Sequence, residues 1–125
     1  MSRLVLVVDD EPDIRELLQL ALEHVAGWQV LTASNGPEAL IAAADKLPDA
    51  ILLDVMMPGM DGPETARRLA EDPRTRSIPV VLLTAKVLSS ERTALSDTEA
   101  RAVIGKPFDP MTLAHQIEDA LGWGA

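Results

Sequence analysis

Cysteine is absent from this 125-residue chain, and so is tyrosine. Without cysteine there is neither a disulfide framework nor a thiolate to hold a metal. No apolar run approaches the ~18 residues that would span a bilayer, and the N-terminus lacks the charged, apolar and small-residue regions of a secretory signal. A membrane partner is therefore not expected, and the cytoplasm is the simplest compartment. Basic charge is also scarce: 11 Lys and Arg stand against 20 Asp and Glu, a formal net charge of −9. A nucleic-acid surface needs clustered Lys and Arg against phosphates, so no nucleic-acid partner is expected either. Arg67, Arg68, Arg74 and Arg76 lie close together, but a solvated helix face accounts for them. Aromatics are reduced to Phe108, Trp28 and Trp123, and the two tryptophans are expected to cap edges of the core.

The chain does have apolar residues, 47% of the total, arranged with period. The length suits one domain with one sizeable core. "RLVLVV" (Arg3–Val8), "AILL" (Ala50–Leu53) and "VVLLT" (Val80–Thr84) are nearly continuous hydrophobic runs, the pattern of parallel strands buried on both faces. "QVLTA" (Gln29–Ala33) is more mixed and suits an edge; "AVI" (Ala102–Ile104) is the weakest and suits the other edge. Between the runs lie segments of helical period. Ile14, Leu17, Leu18, Ala21, Leu22 and Val25 make one apolar stripe. Asn35, Gly36 and Pro37 open a second helix, expected to bury Leu40, Ala43, Ala44 and Leu47. "DGPETARRLAED" begins in the same way, and "SSERTALSD" (89–97) reads as a short, weakly apolar helix. The last helix has Asp109 as cap, Pro110 at its first position, Leu113, Ile117 and Leu121 on one face, and Gly122 as its stop.

The order is β-α five times, which implies an α/β fold with a parallel sheet, right-handed crossovers and helices on both faces. No linker, repeat or low-complexity segment interrupts it, so residues 1–125 are expected to form one domain without an output domain. In such sheets, ligands bind beyond the carboxyl ends of the strands. There the first strand ends in Asp9 and Asp10, the third in Asp54, the fourth in Thr84 and the fifth in Lys106. Taken singly, Asp10 suits a helix cap, Thr84 a strand-end hydroxyl and Lys106 a solvated rim. Five such coincidences at one end of one sheet are a poor explanation. Clustered carboxylates repel one another, and either the Lys106 ammonium or a divalent cation relieves that. Hard oxygen ligands favour Mg²⁺ or Ca²⁺, and few protein ligands with retained waters favour Mg²⁺. A carboxylate nucleophile beside such a cation, with a hydroxyl and an ammonium at hand, suits phosphoryl transfer.

These residues resemble the receiver domain of the two-component response-regulator family over essentially the whole chain, chemotaxis regulators included. "VVDDEP" resembles the family's acidic pair, "LLDVMMPGMDG" its phosphoacceptor segment, "LLTAK" its hydroxyl position and "KPF" its lysine, in order and at family spacing. The resemblance implies a flavodoxin-like (βα)5 doubly wound fold with strand order 2-1-3-4-5. It implies Asp54 as phosphoacceptor, Mg²⁺ as cofactor bound by Asp10 directly and by Asp9 mainly through water, and a further metal ligand in the backbone carbonyl of Met56. Thr84 would hydrogen-bond the phosphoryl group, Lys106 would pair with it, and the Lys106–Pro107 bond would be cis. The donor would be a phosphohistidine on a sensor histidine kinase or a histidine phosphotransfer protein. The chain would then be a regulatory phosphoacceptor in a two-component system or phosphorelay, whose modification changes binding to a downstream protein.

One departure stands out. The family usually has an aromatic three residues before the lysine, and here that position is Val103. With no tyrosine and Phe108 the sole phenylalanine, no neighbour replaces it, so transmission is expected through the Thr84–Ser89 loop and the helix after it. Met56, Met57 and Met60 are expected to pack under the rim of the site, with Met56 and Lys86 where their side chains would overlook the phosphoryl group. His24 and His115 are expected to be exposed, with no phosphotransfer role. Two other readings compete. A degenerate receiver would bind partners without phosphorylation, which the intact Asp9, Asp10, Asp54, Thr84 and Lys106 disfavour. A haloacid-dehalogenase-like phosphatase with an Asp nucleophile would need an acid/base carboxylate two residues after Asp54, where Met56 stands.

Overall fold

The structure, a computed structural model, describes residues 3–85 and 100–123. Strands β1 (Leu4–Val8), β2 (Gln29–Ala33), β3 (Ala50–Asp54), β4 (Val80–Thr84) and β5 (Ala102–Gly105) form one sheet in the order β2-β1-β3-β4-β5. Every pairing is parallel, with Val8 opposite Leu53, Leu53 opposite Leu82 and Thr84 opposite Gly105. Helices α1 (Pro12–Ala26), α2 (Gly36–Lys46), α3 (Gly62–Glu71) and α4 (Leu113–Leu121) are the four among the described residues. This is the flavodoxin-like order. The short helix expected at 89–97 lies outside the described residues.

Strand alternation divides the core in two, because successive side chains leave a strand on opposite faces. Leu6, Val8, Ile51, Leu53, Val80 and Leu82 pack with Ala39 and Ala43 of α2 and Ala66 and Leu69 of α3. Val5, Val7, Leu52, Val81 and Leu83 pack with Leu18 and Leu22 of α1 and Leu113, Ala114 and Ile117 of α4. Strands β3 and β4 are buried throughout, whereas β2 and β5 are only partly so. The mixed runs are thus the edges.

Three helical expectations shift. In α1 the buried stripe narrows to Leu18, Ala21 and Leu22, while Leu17 and Val25 lie at its margin, about two-fifths exposed. In α2 the buried residues are Gly36, Ala39 and Ala43 rather than Leu40 and Leu47. Leu47 has left the helix: it adopts a left-handed conformation (φ 49°) as C-cap and is exposed. The last helix starts at Leu113, three residues after Pro110. Asp109 Oδ1 accepts the Met111 N–H at 2.9 Å and its carbonyl accepts the Thr112 N–H at 3.0 Å, so a turn precedes the helix.

At the amino-terminal edge of the sheet, Trp28 and Trp123 meet edge to face, centroids 5.5 Å apart at 79°. The Arg3 guanidinium lies 4.2 Å from the centroid of Trp123, within cation–π range. Both tryptophans pack against the α1/α4 core, as expected for caps over its edge.

Candidate functional site

The five strand-end residues do converge. Asp9 follows β1 directly and is fully buried; Asp54 closes β3 and Thr84 closes β4, each 4% exposed. Asp10 is the next residue out and is half-buried. One ligand oxygen from each of Asp9, Asp10 and Asp54 lies within 4.8 Å of the other two. Lys106, just beyond β5, donates from Nζ to Asp54 Oδ1 at 3.0 Å and to Asp9 Oδ2 at 3.3 Å. Its backbone N–H donates to the Thr84 carbonyl at 2.6 Å, which ties the lysine to the end of β4. The Lys106–Pro107 peptide is cis, as the resemblance implied.

The electrostatics follow from burial and from this crowding. Burial raises the Asp54 carboxyl above the ordinary range, and the neighbouring Asp9 and Asp10 add to the rise; Lys106 opposes it without cancelling it. Burial alone would lower the Lys106 ammonium, but its bond to Asp54 and the charge of Asp9 outweigh that and raise it. Lys106 is therefore a fixed cation at neutral pH. One ammonium touching two of three carboxyl groups leaves an acidic surplus of hard oxygen donors, a set that fits a divalent cation.

Asp10 is not used as a helix cap, because α1 has Glu11 at its cap position with no side-chain bond. Instead Asp9 Oδ1 accepts the Glu11 N–H at 2.9 Å. Met56 is 73% exposed, while Met57 is buried in the core and Met60 half-buried near Gly36. Of the three methionines expected under the rim, Met57 packs there most fully, whereas Met56 does not pack there and stands in solvent. His24 and His115 are exposed. Arg67 and Arg68 pair with Glu64 on α3, Arg67 also with Glu71, but Arg74 pairs with Asp72 on the turn that follows, so the four arginines do not share one helix face. Val103 is half-buried against the core beside Leu82. Lys86 and most of the loop that follows Thr84 lie outside the described residues.

Two contributors escaped sequence reasoning. Gly62 admits no side chain: a Cβ there would come 2.5 Å from the Asp54 carbonyl oxygen and 2.8 Å from Val55 Cα. The N-terminus of α3 thus rests on the backbone that carries Asp54, and the Gly62 N–H donates to the Val55 carbonyl at 3.0 Å. The "DG" pair was a legible turn signal, but not this contact. Arg15, one turn into α1, donates from Nη1 to the Asp9 carbonyl at 2.9 Å, and nothing in the sequence separates it from any other helical arginine.

Residues 5–118 match the family model described as the response regulator receiver domain. The chain belongs to that family. Receiver domains are regulatory modules of two-component systems that work with histidine kinases or phosphotransfer proteins and bind Mg²⁺. This receiver is 40% identical over 121 residues to the phosphate regulon transcriptional regulatory protein PhoB of Pseudomonas aeruginosa, covering 97% of the chain and 52% of that protein. It is 48% identical over 119 residues to the response regulator PleD of Caulobacter vibrioides, covering 94% of the chain and 26% of PleD. The receiver therefore spans about half the length of one relative and about a quarter of the other. Among solved structures, the chemotaxis protein CheY4 of Vibrio cholerae superposes with a TM-score of 0.88 at 31% identity, over 96% of this chain and 99% of that one. The receiver domain of a sensor histidine kinase of Pseudomonas aeruginosa superposes at 0.86 with 25% identity, over 98% and 99%, and was solved with magnesium coordinated in its active-site cleft. No helix among the described residues is long and apolar enough to cross a membrane.

Proposed function

We propose that Asp54 is the phosphoacceptor of this receiver and that its modification controls binding to a downstream protein. The observation that carries the reading is the two-way contact of Lys106 with Asp54 and Asp9 at the carboxyl edge of the sheet. A carboxylate oxygen of Asp54 attacks the phosphorus of a phosphohistidine; the P–N bond breaks, an acyl phosphate forms, and the imidazole leaves with the freed electron pair and takes up a proton. Lys106 is placed to move its ammonium from the carboxylate to the added phosphoryl oxygens, where the new charge lies. Thr84, buried one strand away, supplies a hydroxyl to hydrogen-bond the phosphoryl group. The donor is a sensor histidine kinase or a histidine phosphotransfer protein.

The three carboxyl groups suit Mg²⁺, which Asp9, Asp10, Asp54 and the Met56 carbonyl would hold. When bound it supplies charge neutralisation for the approaching phosphoryl oxygens. The related receiver with magnesium in its cleft supports this choice. The chain itself would then act as a regulated acceptor rather than a multiple-turnover enzyme. Incubation with a small acyl phosphate and Mg²⁺, followed by intact-mass measurement, tests the reading. Uptake of one phosphoryl group is expected, lost in Asp54→Asn and on chelation of the metal. Undiminished uptake by Asp54→Asn would sink the assignment.

A further inference from the structure

We propose that Arg15 is a positioning residue for the acidic site, clamping the Asp9 carbonyl so that Asp10 is aimed at the cation. The inference rests on the reading of Asp9, Asp10 and Asp54 as a cation-binding set. Strand β1 ends at Val8, so the Asp9 carbonyl has no place in the strand ladder. Arg15 Nη1 takes that carbonyl at 2.9 Å. The remaining polar atoms of Asp9 are also engaged: its N–H donates to the Ala33 carbonyl at 3.2 Å, Oδ1 accepts from the Glu11 N–H and Oδ2 from Lys106. The carbonyl that Arg15 holds belongs to the peptide group that carries the Asp10 nitrogen. Fixing that plane fixes where the Asp10 Cα stands, so only rotation about the bonds beyond it is left to direct the carboxylate. Asp10 has no such anchors of its own among the described hydrogen bonds, so the preceding peptide is what positions it.

A charge-assisted bond from a planar guanidinium suits this task, since its donors are rigid and never deprotonate. The bond also fastens α1, which lacks a side-chain cap, to the end of β1. Groups that orient metal ligands from behind typically govern affinity about tenfold or more.

Charge and positioning make opposite forecasts here. Removing a cation beside an acidic site should, by Coulomb attraction alone, tighten Mg²⁺ binding. Losing the clamp should weaken it. Titration of the full chain with MgCl₂ at fixed ionic strength, followed through the amide shifts of residues 9–10 and 54–56, decides between them. Arg15→Ala and Arg15→Gln are expected to bind Mg²⁺ about tenfold more weakly than wild type, with Arg15→Lys recovering part of the loss. The dispersion of the same amide spectra reports whether each variant is folded, and Gln keeps enough of the stem to remain so. Equal or tighter Mg²⁺ binding by the Ala and Gln variants overturns the proposal. A wild-type spectrum that ignores Mg²⁺ overturns the cation site itself, and is a distinct result.

Discussion

At the scale of single residues, the site is built against its own stability. Asp54 is buried between β1 and β4, and burial holds its carboxyl above the ordinary carboxylate range. The folded state therefore holds its proton to higher pH than the unfolded chain does. Stability contributed by this group is present below the unfolded value and falls as pH rises through the folded one, after which ionised Asp54 is a standing cost. Asp54→Asn should accordingly raise the melting temperature of the metal-free protein at pH 7 by about 2–4 °C. The gain should vanish below about pH 3.8, and a series of thermal melts across pH reads both. Lys106 titrates in the same sense but far above neutral pH. Its ammonium is raised above 10.5, so its stabilising contribution is full at neutral pH and is lost only as pH climbs through the folded value. Lys106→Met should destabilise the metal-free chain by about 1–3 kcal/mol in urea unfolding, because the buried Asp9 and Asp54 would lose their shared counter-charge. Addition of Mg²⁺ should restore more stability to that variant than to wild type.

At the scale of elements, α2 and α3 begin with the same grammar, "NGPE" and "DGPE". Asn35 Oδ1 accepts the Glu38 N–H at 2.8 Å and Asp61 Oδ1 accepts the Glu64 N–H at 2.9 Å, with Pro in the first turn of each helix. Loss of either cap to Ala should cost about 1 kcal/mol. The two glycines differ in what they touch. A Cβ on Gly36 would meet side-chain atoms, Thr65 Oγ1 at 2.6 Å and Met60 Sδ at 2.7 Å, whereas one on Gly62 would meet the backbone of Asp54 and Val55. A flexible methionine can give way, but strand backbone cannot. Gly62→Ala should therefore cost about 2–3 kcal/mol and Gly36→Ala nearer 1, and only the former should also slow acyl-phosphate labelling. If urea midpoints ranked the two in reverse, the close approach of α3 to the site would carry no weight.

At the scale of the whole molecule, the central strands and the acidic site were legible because each rests on a strong signal, while the strand order came only from the family resemblance. Three uninterrupted apolar runs mark buried central strands, and a polar residue at the end of each must lie at the carboxyl edge once all strands are parallel. Helix margins were less legible, since Leu40 and Leu47 fit a 3.6-residue stripe as well as Ala39 does, and only the packed sheet selects among them. Contacts made by backbone, such as Arg15 on the Asp9 carbonyl, leave no mark in side-chain patterning. The placement of the tryptophans has a consequence for observing this protein with light. Both lie at the amino-terminal edge of the sheet, a strand's length of roughly 16 Å from Asp54. With no tyrosine in the chain, all near-ultraviolet emission excited at the indole band comes from that pair. Their spectrum should shift on global unfolding and stay silent when Mg²⁺ or a phosphoryl mimic enters the cleft. An emission change on Mg²⁺ addition to the folded protein would show that the two ends of the sheet are optically, and hence structurally, connected.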